Sequence, residues 1–190
     1  MYSALALAPR AQVRLTFFPD SMNNSTLYLG GLARYKLCTT GPFDSLVEIS
    51  ERGTSDSLAV VARISHNVVR PSTVVFPRVR GDQSEWKVKK WMAECTVDGN
   101  VAHLIELDSI GQCLLKLHRE YRLALYTPDD PRTPIAHWQR GTARNSPLSL
   151  VLYPGTENIQ PQIMAAFVIQ EQRMRMVEKK NGLALAPGAA

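Results

Sequence analysis

Apolar and polar residues alternate along most of this chain. "VRLTFF" (Val13 to Phe18) has the two-residue period of a half-buried strand, and its β-branched and aromatic side chains suit a pleated surface. "PDSMNNS" after it consists of turn formers. "TLYL" and "LARYKLCTT" flank Gly30 and Gly31 and predict a hairpin whose glycines supply positive φ angles. "SLVEIS" and "LAVVARIS" predict two strands around the loop "ERGTSD". "STVVFPRV" predicts another, which Pro77 places at an edge or a bend. In "EWKVKKWM", Trp86, Val88 and Trp91 fit no single period-2 face, so a bulge or a change of structure is expected near Lys89–Lys90. "VAHLIEL", "CLLKLH", "YRLALYT", "IAHWQ" and "LSLVLY" complete the series. A spacing of about 8–12 residues between short strands predicts a barrel or sandwich.

The last stretch breaks the pattern. "IQPQIMAAFVIQEQRMRMVEKK", Ile159 to Lys180, predicts a helix over about residues 159–177, with Pro161 in its first turn and a stop at Asn181–Gly182. Ile163, Met164, Ala165, Ala166, Phe167, Val168 and Ile169 are apolar in every direction around the axis, so the helix is expected to be buried on all sides. The run is far short of the roughly 20 residues that span a bilayer. Many strands followed by one wholly apolar helix predict a mainly β fold: a closed antiparallel β-barrel of about 11–12 strands around a central C-terminal helix, because a barrel that wide needs a plug. The expected organisation is a leader over residues 1–12, one domain over 13–180 and a tail over 181–190.

The order of these segments resembles the tubby-like domain of unknown function found in basidiomycete fungi. The resemblance is carried by "LTFFPDSMNNSTLY" with "ARYKLCTT", by "VKKWM", by "REYRLALYTPDDP" and "LSLVLYP", and above all by "IMAAFVIQEQRMR". It spans about residues 13–177. The sequence departs from that family in "ECTVDGNVAHLIEL", where an aromatic-rich segment is usual and Val101 and His103 to Leu107 do not supply one. The resemblance implies a barrel related to the tubby C-terminal and scramblase-like domains, with no established reaction. Phosphoinositide binding by larger relatives is a fold-level analogy.

Composition narrows the setting. The chain has 190 residues and a formal net charge of +5, which permits an anionic partner. No recognition motif points to nucleic acid. Cys38, Cys95 and Cys113 have neither disulfide-framework nor zinc-site spacing, and the odd count suits a reducing, intracellular, cytoplasmic setting. "MYSALALAPRAQ" lacks the basic start of a secretory signal. Asn23 and Asn24 are glycosylation acceptors only if the protein is secreted. No cofactor fingerprint is present.

The charge is concentrated. Arg70, Arg78, Arg80, Lys87, Lys89 and Lys90 face only Asp82 and Glu85 in one segment, with Trp86 and Trp91 interleaved. Clustered cations beside amphipathic indoles suit an anionic headgroup, so Arg78, Arg80, Trp86, Lys87, Lys89 and Lys90 are the candidate ligand residues. The plainer account, a solvated hairpin face with both indoles in the core, carries more weight. Arg173, Arg175, Lys179 and Lys180 suit a helix C-terminus, with Glu171 and Glu178 offsetting half of them. His66, His103, His118 and His137 lack metal-ligand spacing, and Cys113 and His118 should face opposite sides of a regular strand. Asp129 and Asp130 read as a turn bonding its own backbone. The leading expectation is a non-enzymatic binding module, peripheral to an anionic membrane. The alternatives are a protein-interaction or assembly module working through barrel edges, and a small-ligand carrier or enzyme.

Overall fold

Each strand turns back on the one before it, in two runs. The computed structural model describes residues 12–41, 45–53, 56–67, 69–77, 85–140 and 146–184. Strands β1 (Val13–Phe18), β2 (Ser25–Leu29), β3 (Leu32–Thr40), β4 (Ser45–Arg52), β5 (Leu58–His66), β6 (Thr73–Val75) and β7 (Trp86–Lys87) form one antiparallel meander. Strands β8 (Met92–Val97), β9 (Asn100–Leu107), β10 (Gly111–His118), β11 (Arg122–Tyr126), β12 (Ala136–Arg140) and β13 (Leu148–Leu152) form a second. Pairing of β1 with β13 joins them into one 13-stranded sheet, with Leu15 opposite Leu150. The predicted hairpin turn is present, with Gly30 at φ 57° and Gly31 at φ 84°, angles that a side chain would strain.

The sheet is not closed, which corrects the expected barrel of 11–12 strands. Its two edges are β7 and β8, and they do not pair with each other. The cause lies in the residues between them. Val88 to Trp91 form a single helical turn, α1, that buries Val88 and Trp91 and exposes Lys89 and Lys90. A spacing of three brings Val88 and Trp91 to one side of a helical turn, whereas a strand would send them to opposite faces. The turn uses the residues that would have lengthened β7 beside β8. It ties the edges in another way: Val88 N–H donates to the Ser72 carbonyl at 2.8 Å, and the Trp91 indole N–H donates to the Glu106 carbonyl at 3.0 Å.

A 3-10 turn (Glu157–Ile159) leads into α2 (Gln160–Ala184). Residues Ile163 to Ile169 are each at most 1 % exposed, so the helix is buried all round as the sequence predicts. Trp138 links strand core to helix, edge-on to Phe17 at 5.2 Å and to Phe167 at 5.1 Å. Polar contacts reach α2 from both meanders: Tyr35 and Asp20 from the first, Asp108 and Arg122 from the second. The sheet therefore curls around the helix. The helix outlasts the expected stop at Asn181–Gly182. No described helix is long and apolar enough to cross a membrane.

The strand directions define two ends of the molecule. At the end where α2 begins lie the β2–β3 turn, the β4–β5 loop, the Asp108–Ser109 turn and the β11–β12 loop. At the end where it leaves lie the β1–β2 loop, the segment after His66, the β8–β9 turn and the β10–β11 turn.

Candidate functional site

The exit of α2 is fixed by charge. Glu171 is fully buried and accepts a hydrogen bond from Arg122 Nε at 2.9 Å and another from Arg175 Nε at 2.8 Å. Arg122 also pairs with Glu178, and Arg175 with Asp20. Burial alone would lower the Arg122 guanidinium, but its bonds to Glu178 and Glu171 hold it raised; Arg175 behaves alike through Asp20 and Glu171. Arg122 reaches this position from the left-handed region, at φ 60°. A carboxylate so buried is held by its two cationic partners.

Beside this anchor, on the seam side, is a cleft of about 640 Å³. Its walls are Lys89 from α1, Met92 and Glu94 from β8, Val101 and His103 from β9, and Gln170 and Arg173 from α2. It exists because β8 has no strand neighbour on this flank. His103 pairs across the ladder with Leu115, a core residue, so it points inward. It is 5 % exposed, yet its Nδ1 has no hydrogen-bond partner, and neither has Oε1 of Gln170 nearby. Burial lowers the His103 pKa first, Arg173 lowers it further, and Glu94 and Gln170 oppose them. Burial also lowers the Arg173 guanidinium, against Glu94. Two cations, one carboxylate and two unsatisfied buried polar atoms thus converge on one opening. Such an opening suits an anionic, hydrogen-bonding ligand.

A second cleft, about 560 Å³, lies on the other flank of α2 between the β1–β2 loop and the end of β5. Its polar groups are largely matched to one another. His66 Nε2 lies 3.1 Å from Gln172 Oε1, Gln172 Nε2 donates to the Met22 carbonyl at 2.9 Å, and Arg175 pairs with Asp20 at 2.7 Å. On the outer face of the sheet, Tyr121 is stacked between His118 at 4.6 Å and His137 at 4.0 Å, and Tyr153 follows at 5.8 Å from His137.

The basic segment is only partly gathered. Arg78 and Arg80 lie outside the described residues. Lys87 and Lys90 are exposed, and Trp86 is half-buried against the core. Of the candidate ligand residues, Lys89 alone lines the seam cleft, and its cationic companion there is Arg173, which reads in sequence as a helix-end cation. His103, Gln170 and Glu94 are additions from the structure. The alternation of "VAHLIEL" carried a signal for His103, since it shares a face with Ile105 and Leu107.

The other chemistry is structural. Cys113 is in the core with its thiol pushed up to about 11, chiefly by burial, which is the reverse of an activated nucleophile. Asp130 accepts from the backbone N–H groups of Arg132 and Thr133, the predicted turn. Among the described residues no group of three His, Cys, Asp or Glu side chains could hold a metal ion.

Comparison with curated proteins and with solved structures yields no match. The sequence does fit a family described as "Family of unknown function (DUF6593)" over residues 20–176, most of its length, and the chain belongs to that family.

Proposed function

We propose that the domain is a non-catalytic binding module for a phosphorylated anionic headgroup, seated in the seam cleft. The observation that carries this reading is the convergence of Lys89 and Arg173 on buried His103, whose Nδ1 lacks a partner. A phosphate accepts from lysine, from the arginine fork and from the N–H of a neutral imidazole, so it would satisfy the Lys89 ammonium, the Arg173 guanidinium and the His103 ring together. Glu94 opposes ligands bearing little charge and favours those whose charge outweighs one carboxylate. The kinship with tubby-like domains belongs to the same proposal. The alternative of assembly through sheet edges rests on β8 alone, six residues with no strand neighbour on its outer flank, since β7 has two residues.

Calorimetric titration with inositol 1,4,5-trisphosphate at low salt tests this. Lys89→Glu with Arg173→Glu should weaken binding by roughly a hundredfold, as loss of two charge-assisted contacts implies. Lys89 is exposed but Arg173 is half-buried beside Glu94, so melting curves are recorded for this variant, and Lys89→Gln with Arg173→Gln, which adds no charge beside Glu94, should fold as the wild type and also bind more weakly. Binding that is absent in the wild type, or unchanged in the variant, refutes the site.

A further inference from the structure

The end of the molecule where α2 leaves the sheet exposes more apolar side chains than the other end, which exposes Leu29, Leu32 and Leu58. Large apolar side chains stand out from the exit end on separate segments: Phe18 closes β1, Val69 follows β5, Leu117 nears the end of β10, and Met176 and Val177 lie on α2. Val69 is 94 % exposed. Among them are the cations Arg70, Lys89, Arg119, Arg173, Lys179 and Lys180. The end where α2 begins carries Glu51, Asp56, Asp108, Asp129, Asp130 and Glu157. The exit end also holds Asp20, Glu94, Asp98, Glu120, Glu171 and Glu178 with Arg122 and Arg175, and the entry end Arg34, Arg52 and Arg132, so a small positive excess at the exit faces a small negative one at the entry, along the helix axis.

We propose that the exit end docks on an anionic bilayer surface, with Val69, Met176 and Val177 entering the headgroup layer while the surrounding cations meet anionic lipids. The proposal rests on the headgroup reading of the seam cleft, which opens beside this same end. Two features favour a bilayer over a protein partner. The apolar side chains are separated by lysines and arginines, whereas a protein interface has a contiguous apolar centre depleted in lysine. A charge polarity along one axis orients a molecule toward an extended plane of one sign, and a bilayer leaflet is such a plane. Isolated apolar side chains inserted among headgroups supply the second attachment that a few surface cations need.

Co-sedimentation of the full chain with phosphatidylcholine vesicles, with and without phosphatidylserine, tests it. The expected result is partition into phosphatidylserine vesicles about tenfold or more above that into phosphatidylcholine alone, falling as salt is raised. Val69→Glu with Val177→Glu should lose roughly tenfold or more of that partition while binding inositol 1,4,5-trisphosphate as the wild type does. Leu32→Glu, at the opposite end and 78 % exposed, should change neither. Equal partition of the Val69→Glu, Val177→Glu variant, or an equal loss with Leu32→Glu, overturns the docking face. A wild type that binds the soluble probe but ignores phosphatidylserine vesicles overturns it too, and leaves the cleft standing. Sedimentation without binding of the soluble probe supports the face and refutes the cleft.

Discussion

His137 shows how one side chain ties packing to pH. It sits on β12 next to Trp138, so it takes the outer face while the indole takes the core. Tyr121 covers it, and its Nδ1 has no partner. Burial, then the charges of His118 and Arg14, lower its pKa from 6.5 to about 4. A lowered histidine means that the unfolded chain binds the proton more readily, so between those two values stability falls as pH falls. The loss is expected to be on the order of 2–3 kcal/mol across that window. Urea midpoints measured from neutral pH down to the lower value should drop, and His137→Phe should flatten the profile to the residue left by His103 and His66. An unchanged slope in His137→Phe would assign the acid sensitivity elsewhere. Single residues were read unevenly from sequence. Cys113 and Asp130 are legible, because strand period and turn chemistry are local. The pairing of Lys89 with Arg173 is not, because it joins segments 84 residues apart. Glu171 reads as a mere offset to nearby cations, since nothing local shows that Arg122 reaches it from β11.

At the scale of elements, α1 has a larger part than its four residues suggest. It links the two sheet edges, and Trp91 seats it against Phe76 at 5.3 Å between ring centroids. Trp91→Ala should cost about 3–5 kcal/mol, the usual range for truncating a buried aromatic. The loss should be uneven. Native-state hydrogen exchange should show the amides of β8 opening well before those of β12, which is paired on both sides. Uniform acceleration across the sheet would mean that α1 does not hold the edge. Sequence placed most of the strands because they alternate cleanly, but β8 has no counterpart among the predicted ones. The sequence flagged trouble near Lys89–Lys90 but could not name it, since a two-residue strand followed by one helical turn has too little length for any period. The helix was legible from its wholly apolar run. Its extra length was not, because Asn181 and Gly182 are stop signals that the helix passes through.

For the whole molecule, the expected closed barrel of about 11–12 strands gives way to an open sheet of thirteen around the helix, and the topology explains why. Every pairing but one is between strands adjacent in sequence, and the exception, β1 with β13, brings the two meanders together. Strand count and an apolar helix imply enclosure. Whether the last gap is bridged by a ladder depends on β7 and β8 alone.

That gap makes the sheet a split ring, in the mechanical sense of a spring washer. The girth of a whole ring of strands changes only in steps, by a strand of about 4.8 Å or by a shift of register that alters the tilt. A ring cut once widens or narrows smoothly, without loss of a single ladder bond. The bore should then adapt to the bulk of the helix inside it. Ala165 and Ala166 are wholly buried there. Ala166→Val, which adds two methyl groups, should cost under about 1 kcal/mol in urea unfolding, below the 1–3 kcal/mol that overpacking commonly costs. A cost near 3 kcal/mol would show a bore as rigid as that of an uncut ring. Tolerance of bulk inside the bore would leave sequence drift along α2 freer than its complete burial suggests.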